Sequence, residues 1–424
     1  MNQTEQITEA WIEDFHGTET MRTVLKQCVY FSVLSGVNIE KILLTMREDG
    51  ELPARDKKQG IKRLEELRNR LLSRKFVVGT PSIRKRESGK PDILYIEKDI
   101  RNHVLTKKIR EKYSGTEVKY IDHYKDIFYH PSPDKNGLIL AKNRNPKLLP
   151  GAPVCHDFEE EYFYYTSLAT GCLYDCEYCY LKGMYPSGDQ IVYVNIEDTF
   201  SETEKVLKEH EAYVCISYDS DLMSLESFTG YVEQWNEFVR EHDGLRVECR
   251  TKCARTDLWK KMTPCDRMIF AFTLSPQEVI RRYEHRTPSL GERLACIREG
   301  MEAGFTVRLC FDPVIAFPGW EEEYDRLIRD VTDSLDPDGI RDVSVGSFRI
   351  PQDYLRQLRR REPDSAVVQY PFVNEDGVCR YPEELHLQMC EKVVQGLKRF
   401  VPEDRIYLLA DRKNQGKDKR GKNT

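Results

Sequence analysis

No stretch of the 424-residue sequence approaches the ~18 consecutive apolar residues that a transmembrane helix needs. The mean hydropathy of −0.61 agrees with that. The opening MNQTEQITEAWIEDF lacks the basic-then-apolar layout of a signal peptide, so a cytoplasmic protein without membrane contact is expected. Excess basic charge is also absent. Lys+Arg total 65 against 71 Asp+Glu, a formal net charge of −6, which excludes a wholly basic nucleic-acid coat and leaves any polyanion to a local patch. There is no Ser-His-Asp arrangement and no phosphate-cradling glycine loop to indicate a hydrolase or a kinase. The 13 cysteines are an odd number, and in a large chain they read as reduced thiols plus metal ligands, not as a disulfide framework. No internal repeat stands out.

What is present is enough apolar material, 40% of residues, for two or three domains of about 150 residues each. Residues 1–78 are expected to form a helical module, because Ile39, Ile42, Leu43 and Met46, then Leu64, Leu67 and Leu71, recur at helical spacing. Its second half, ARDKKQGIKRLEELRNRLLSRK, is basic on the non-leucine faces: a solvated face or a nucleic-acid contact. A charged, Pro- and Gly-containing linker follows at 79–91. Alternating strand-like and helical runs predict a small α/β domain over 92–150.

From 151 to 362 the runs YFYYTSLAT, AYVCISY, LRVECRTK, RMIFAFTLS, TVRLCFDPVI and RDVSVGSFRI alternate with amphipathic segments. Six βα units in series predict a partial (β/α)6 parallel barrel, an α/β fold whose chemistry gathers at the carboxyl ends of the strands. One helix is delimited in the sequence: Ser289 and Glu292 form a capping box, Leu290, Leu294, Ile297 and Met301 its buried stripe, and Gly304 its stop. A hairpin and C-terminal helix are expected over 363–410, and a disordered basic tail over 411–424.

The strongest chemical signal is TGCLYDCEYCY, which sets Cys172, Cys176 and Cys179 in a C-x3-C-x2-C loop after the first barrel strand. Three thiolates so close together need a soft metal centre to offset their repulsion. A structural zinc would want a fourth protein ligand, and neither a second C-x2-C pair nor a C-x-x-H follows. Three cysteines on a four-iron cluster leave one iron open to another ligand. Cys249 and Cys253 form a second C-x3-C without a usable third cysteine. His285 reads as a loop residue, and Cys28, Cys296 and Cys310 as core.

The loop, with Tyr178 before its last cysteine, resembles the radical S-adenosylmethionine superfamily. Within it, LATGCLYDCEYCYLKG, IVYVNIED, SYDSDLMSLESFTG, RTKCARTDLW, FTLSPQEVIRRYEHRTPSLGERLACIREGMEAGF, DPVIAFPGWEEEYDRLI and VSVGSFRIP resemble the spore photoproduct lyase family over about residues 92–362. The resemblance implies a [4Fe-4S] cluster on Cys172, Cys176 and Cys179, S-adenosylmethionine as the second cofactor, and an external one-electron reductant. It implies a 5′-deoxyadenosyl radical that reverses a thymine dimer in damaged DNA. It further implies that Tyr178 lies by the cofactor, that Ser220, Lys252 and Thr273 line the S-adenosylmethionine pocket, and that Tyr180 assists radical return.

Two departures stand out. Where the family keeps its hydrogen-donating cysteine, this chain has Tyr218, whose phenol can also give up a hydrogen atom. Cys215 lies three residues upstream, and strand alternation predicts that it faces the opposite way, into the core. The hairpin VVQYPFVNEDGVCRYPEEL, basic in the family, is mostly acidic here around Asn374–Gly377. Arg349, Arg356, Arg359, Arg360 and Arg361 are then the candidates for phosphate or substrate contact. A paralogue with a different substrate, and a non-enzymatic iron–sulfur sensor binding nucleic acid, are the alternatives.

Overall fold

The computed structural model of the protein describes residues 18–49, 56–72, 74, 90–129, 136–151 and 157–408. Most of the expected linker and all of the expected basic tail lie outside the described residues.

The first described segment is three helices, Glu19–Leu34, Ile39–Glu48 and Lys57–Leu72. Thr18 and Asn38 cap the first two through their side-chain oxygens. The apolar spacing becomes one buried stripe: Leu43, Met46, Leu64, Leu67 and Leu71 close on Met21, Val24, Leu25 and Cys28. Lys57, Lys58, Lys62 and Arg70 of the third helix stay exposed. Tyr30 and Leu34 pack on Ala366 and Tyr370, far along the chain, with the rings of Tyr30 and Tyr370 5.1 Å apart.

A small sheet follows, with β1 (Ile93–Glu97), β2 (Glu117–Ile121) and β3 (Gly137–Ala141) in parallel. It does not end at residue 150. β7 (Gln190–Tyr193) pairs in parallel with β3, and β6 (Ala169–Thr170) pairs antiparallel with β7, giving the order β2-β1-β3-β7-β6. The stretch YFYYTSLAT, expected as one strand, is therefore split between two sheets.

The main sheet is built from β4 (Leu149–Pro150), β5 (Phe163–Tyr165), β8 (Ala212–Cys215), β9 (Leu245–Thr251), β10 (Met268–Thr273), β11 (Thr306–Val314), β12 (Ile340–Ser347) and β16 (Ile406–Leu408). Its order is β16-β12-β11-β10-β9-β8-β5-β4. The pairs from β5 to β16 are parallel, and only β4 is antiparallel to its neighbour. Seven parallel strands in chain order curl without closing, because β4 and β16 remain as edges: a partial barrel. Every residue of β10 is buried, as befits a parallel strand covered on both faces. The helix Leu290–Glu302 carries the expected capping box. It ends in a Schellman motif, Phe305 N–H to Gly300 C=O and Gly304 N–H to Met301 C=O, with Gly304 at φ 85°.

The barrel interior contains charge. Arg308 is 1% exposed and holds Asp342 through Nε and Nη2, and Glu248 Oε2 at 2.5 Å and Tyr213 OH at 2.7 Å through Nη1. Beyond β12, β13 (Arg349–Pro351) joins a hairpin of β14 (Val373–Glu375) and β15 (Val378–Arg380). Asp376 and Gly377 both have positive φ, 51° and 84°, which a two-residue I′ turn requires and Asp-Gly accepts. Glu375 and Asp376 are exposed at its tip.

Candidate active site

The cysteine loop is tied down at three points. Gly171 N–H donates to the Asp219 carbonyl at 2.9 Å, and Glu177 N–H to the Tyr283 carbonyl at 2.9 Å. Lys182, one turn into the short helix that follows, pairs with Asp175 at 2.7 Å and Glu362 at 2.8 Å. Gly171 has φ 89°, a conformation that glycine adopts without a side-chain clash. At Gly183 a Cβ would sit 2.3 Å from the Tyr354 carbonyl, so only glycine lets this helix pack against the helix Gln352–Arg361.

So held, Cys172, Cys176 and Cys179 line one cavity of about 300 Å³ at the carboxyl ends of the barrel strands. Burial pushes the Cys172 and Cys176 thiols well up; Asp221 and then Cys179 add to the shift at Cys172, and Glu284, Cys179 and Cys172 add to it at Cys176. Among the described residues no three His, Cys, Asp or Glu side chains converge on a single ion, which one zinc with all sulfurs about 2.3 Å away would demand. In a cluster each thiolate binds its own iron, so the sulfurs need not share a centre. Cys249 and Cys253 are both buried.

Ser220, Lys252 and Thr273 line the same cavity, after β8, after β9 and at the end of β10. Asp221 brings the first two together. One carboxylate oxygen accepts from Lys252 N–H at 2.7 Å, and the other from Thr251 Oγ1 at 2.8 Å and Ser224 N–H at 3.1 Å, capping the helix Leu222–Thr229. Ser220 Oγ is buried and has no hydrogen-bond partner among the described residues. A buried hydroxyl left unpaired is costly, so this one points to a ligand.

Lys252 Nζ lies 5.5 Å from the centre of the Tyr178 ring. The Tyr178 hydroxyl donates to Glu284, which also accepts from Ser275 and Thr287, each at 3.0 Å, and from Arg293. Burial alone would raise the Glu284 carboxyl, but Arg293 and then Lys252 hold it down to about 2. Lys252 is affected in the opposite sense: burial pulls it down, and Glu284 with Cys176 outweighs that, keeping the ammonium charged. Next to Glu284, His285 is 3% exposed in its side chain and faces Glu177 at 2.8 Å.

Tyr180 and Tyr218 meet on the far wall. The Tyr180 hydroxyl donates to the Tyr218 carbonyl, the two rings are 6.0 Å apart, and Tyr165 lies 4.2 Å from Tyr218. Cys215 corrects the sequence reading, since it lines this cavity as well. β8 ends at Cys215, so Tyr218 stands on a loop where strand alternation no longer applies. The thiol and the phenol therefore line the same cavity.

The expected arginines separate. Arg349 lines the cavity, 3.0 Å from Asp312. Arg359 donates to the carbonyls of Val368 and Tyr370 at 2.8 and 2.7 Å, and Arg361 to that of Pro186 at 2.6 Å; these two fasten backbone. Arg356 is exposed and pairs with Asp353 at 3.1 Å, while Arg360 is half-buried against Gln357. Sequence reasoning missed Asp221, Glu284, Arg293, Arg250 and Asp312. Only Asp221 left a local trace, an Asp three residues before Ser224 at a helix start.

Comparison with known proteins relates the chain to a known family. A family model described as spore photoproduct lyase matches residues 90–350. The spore photoproduct lyase of Geobacillus sp. (strain Y412MC61) is 26% identical over 284 residues, 64% of this chain and 83% of that protein. That of Bacillus subtilis (strain 168) is 24% identical over 263 residues, 60% and 76%. Among solved structures, a spore photoproduct lyase complexed with dinucleoside spore photoproduct has a TM-score of 0.64 at 21% identity, covering 76% of this chain and 98% of that one. A double variant with bound AdoMet and the same dinucleoside has a TM-score of 0.63 with the same coverage. Identity that low speaks for the fold. Among the described residues no helix is long and apolar enough to cross a membrane.

Proposed function

The chain belongs to the spore photoproduct lyase family, and from that premise we propose that it is a radical S-adenosylmethionine lyase that reverses the spore thymine dimer in damaged DNA, acting in the cytoplasm with an external one-electron reductant. One observation carries the reading: a single cavity gathers the three thiols, the charged Lys252 and the unpartnered Ser220 hydroxyl. Those residues fit both groups. Thiols crowded into one cavity favour a cationic iron centre, and an ammonium in the same cavity as an unpartnered hydroxyl suits the carboxylate and amine of an amino-acid-like cofactor. With both groups bound, they supply a 5′-deoxyadenosyl radical.

The chain's own residues do the rest. Cys172, Cys176 and Cys179 hold the cluster; Lys252, Ser220 and Thr273 hold polar groups of S-adenosylmethionine; Tyr178, fixed by Glu284, forms the wall beside them. Tyr218 gives the product radical a hydrogen atom from its phenol, and an electron from the external reductant with a proton restores the tyrosyl radical left behind, with Tyr180 locked against the Tyr218 backbone as the relay. A dimer in duplex DNA must leave the stack to reach this cavity, and a damaged step lowers that cost. The test is anaerobic incubation of the reduced, iron-loaded protein with S-adenosylmethionine and dinucleoside spore photoproduct. Release of 5′-deoxyadenosine together with thymidine supports the reading. Release of 5′-deoxyadenosine alone favours a second reading, a family member with a different substrate, to which Tyr218 and the exposed acidic turn at Glu375–Asp376 point.

A further inference from the structure

We propose that Asp312, flanked by Arg250 and Arg349, is the edge that reads the imide of a thymine ring in the cavity. This deepens the reading above and rests on it. Arg250 Nη1 stands 3.4 Å from one Asp312 oxygen and Arg349 Nη1 3.0 Å from the other. All three residues line the cavity, brought there by β9, β11 and β13. A carboxylate between two guanidiniums presents donor, acceptor and donor in order, because arginine only donates and an ionised carboxylate only accepts. The imide edge of thymine presents O4, N3–H and O2, which are acceptor, donor and acceptor. Cytosine, adenine and guanine each put a donor or acceptor where this sequence has its opposite, so the pattern selects thymine or uracil.

Charge argues against phosphate as the occupant. The cluster joins Arg250, Arg308, Arg341 and Arg349 to Glu248, Asp312 and Asp342 through ion pairs, and the Asp312 carboxylate stands between the two guanidiniums that line the cavity. A phosphate brought here would be repelled by the Asp312 carboxylate at the centre of the edge, whereas a neutral imide donates its N3–H to it. Phe348 and Tyr354 line the same end of the cavity and supply the flat apolar walls that an extruded base needs.

The experiment titrates the iron-loaded protein, with S-adenosylmethionine and without reductant, against dinucleoside spore photoproduct and its two singly N3-methylated forms. Methylation removes the N3–H and places a methyl against the carboxylate. At least one methylated form should bind the wild type about ten- to a hundredfold more weakly, the value of a hydrogen bond to a charged group. In Asp312→Ala, which removes the acceptor and makes room for the methyl, that ratio should fall to near one. Equal affinity of the wild type for all three ligands would overturn the inference while leaving the lyase reading intact, and this arm stands even if the variant fails to fold. An unchanged ratio in folded Asp312→Ala would overturn it too. If the wild type binds none of the three, the lyase reading fails and the inference with it.

Discussion

The Tyr180 hydroxyl donates to the backbone carbonyl of Tyr218, not to its phenol. The relay pair is thus positioned by an acceptor that mutation of the Tyr218 side chain cannot remove. Tyr218→Phe keeps the ring, the carbonyl and the packing on Tyr165, and loses only the O–H. Dimer opening should persist while the product radical is diverted to side products, read as the thymidine-to-by-product ratio by mass spectrometry. Because Cys215 lines the same cavity, the Tyr218→Phe/Cys215→Ala double variant should give more by-product than Tyr218→Phe alone. By-product from Cys215→Ala with none from Tyr218→Phe would reverse the assignment of the donor.

Anaerobic purification should give a brown protein with about four irons per chain, as a four-iron cluster requires. Cys172→Ala, Cys176→Ala and Cys179→Ala should each abolish it. The pair Cys249→Ala/Cys253→Ala should leave the iron count unchanged, since both thiols are buried outside the loop. A colourless protein with stoichiometric zinc would sink the cluster assignment.

The loop was legible before the fold because its chemistry is local: three soft ligands within eight residues, followed by a helix. The barrel was legible for a similar reason, since a parallel strand buried on both faces reads as one apolar run, as β10 does. Asp312 and Arg250 were not, and Arg349 was singled out without its partners, because the three belong to three strands and meet only through sheet register. Glu284 was hidden too, its partners Tyr178 and Arg293 lying 106 and 9 residues away. The alternation rule misplaced Cys215 because it was carried three residues beyond the end of β8.

Lys252→Ala should weaken S-adenosylmethionine binding about ten- to a hundredfold, the loss of a charge-assisted hydrogen bond. Ser220→Ala, which removes a neutral donor, should cost about two- to tenfold. Neither should lower the iron content, because Asp221 holds the backbone of Lys252 and the cysteine loop is anchored elsewhere. Unchanged affinity in both, measured by equilibrium dialysis, would mean that the cofactor lies on other walls.

Arg308 offers a stability test independent of the reaction. Arg308→Ala removes the cation that joins Glu248 to Asp342, leaving the first to Arg250 and Tyr213 and the second to Arg341, and should cost about 3 kcal/mol in denaturant unfolding. Arg240→Ala, at an exposed pair with Glu237, should cost about 0–1 kcal/mol. The pH dependence has a defined sign. Burial raises the Glu248 carboxyl, but Arg250 and Arg308 outweigh it and leave the net shift downward from 4.5. Its contribution is therefore full above about pH 4.5 and lost as pH falls through the lower folded-state value. Wild type should lose stability over that acid range more steeply than Glu248→Gln.

DNA binding should divide the arginines of the helix Gln352–Arg361 by what they already hold. A cation that neutralises a phosphate releases a counterion, so removing one such cation lowers the slope of log affinity against log salt by about one. Arg356 is exposed and pairs with Asp353 at the surface, so it can reach a phosphate at little cost. Arg359 and Arg361 are committed to backbone carbonyls. Arg356→Ala should therefore flatten the salt dependence on damaged duplex, whereas Arg359→Ala should lower the thermal midpoint and leave the slope alone. Lys57, Lys58 and Lys62 on the third N-terminal helix extend the same test to the module outside the family match. Glu375→Lys at the acidic turn should steepen the slope if that turn faces the duplex, since it replaces a repelling charge with an attracting one. A flat salt dependence in the wild type, with dinucleoside repair intact, would show that the lesion is taken from short or single-stranded DNA without a phosphate-binding face.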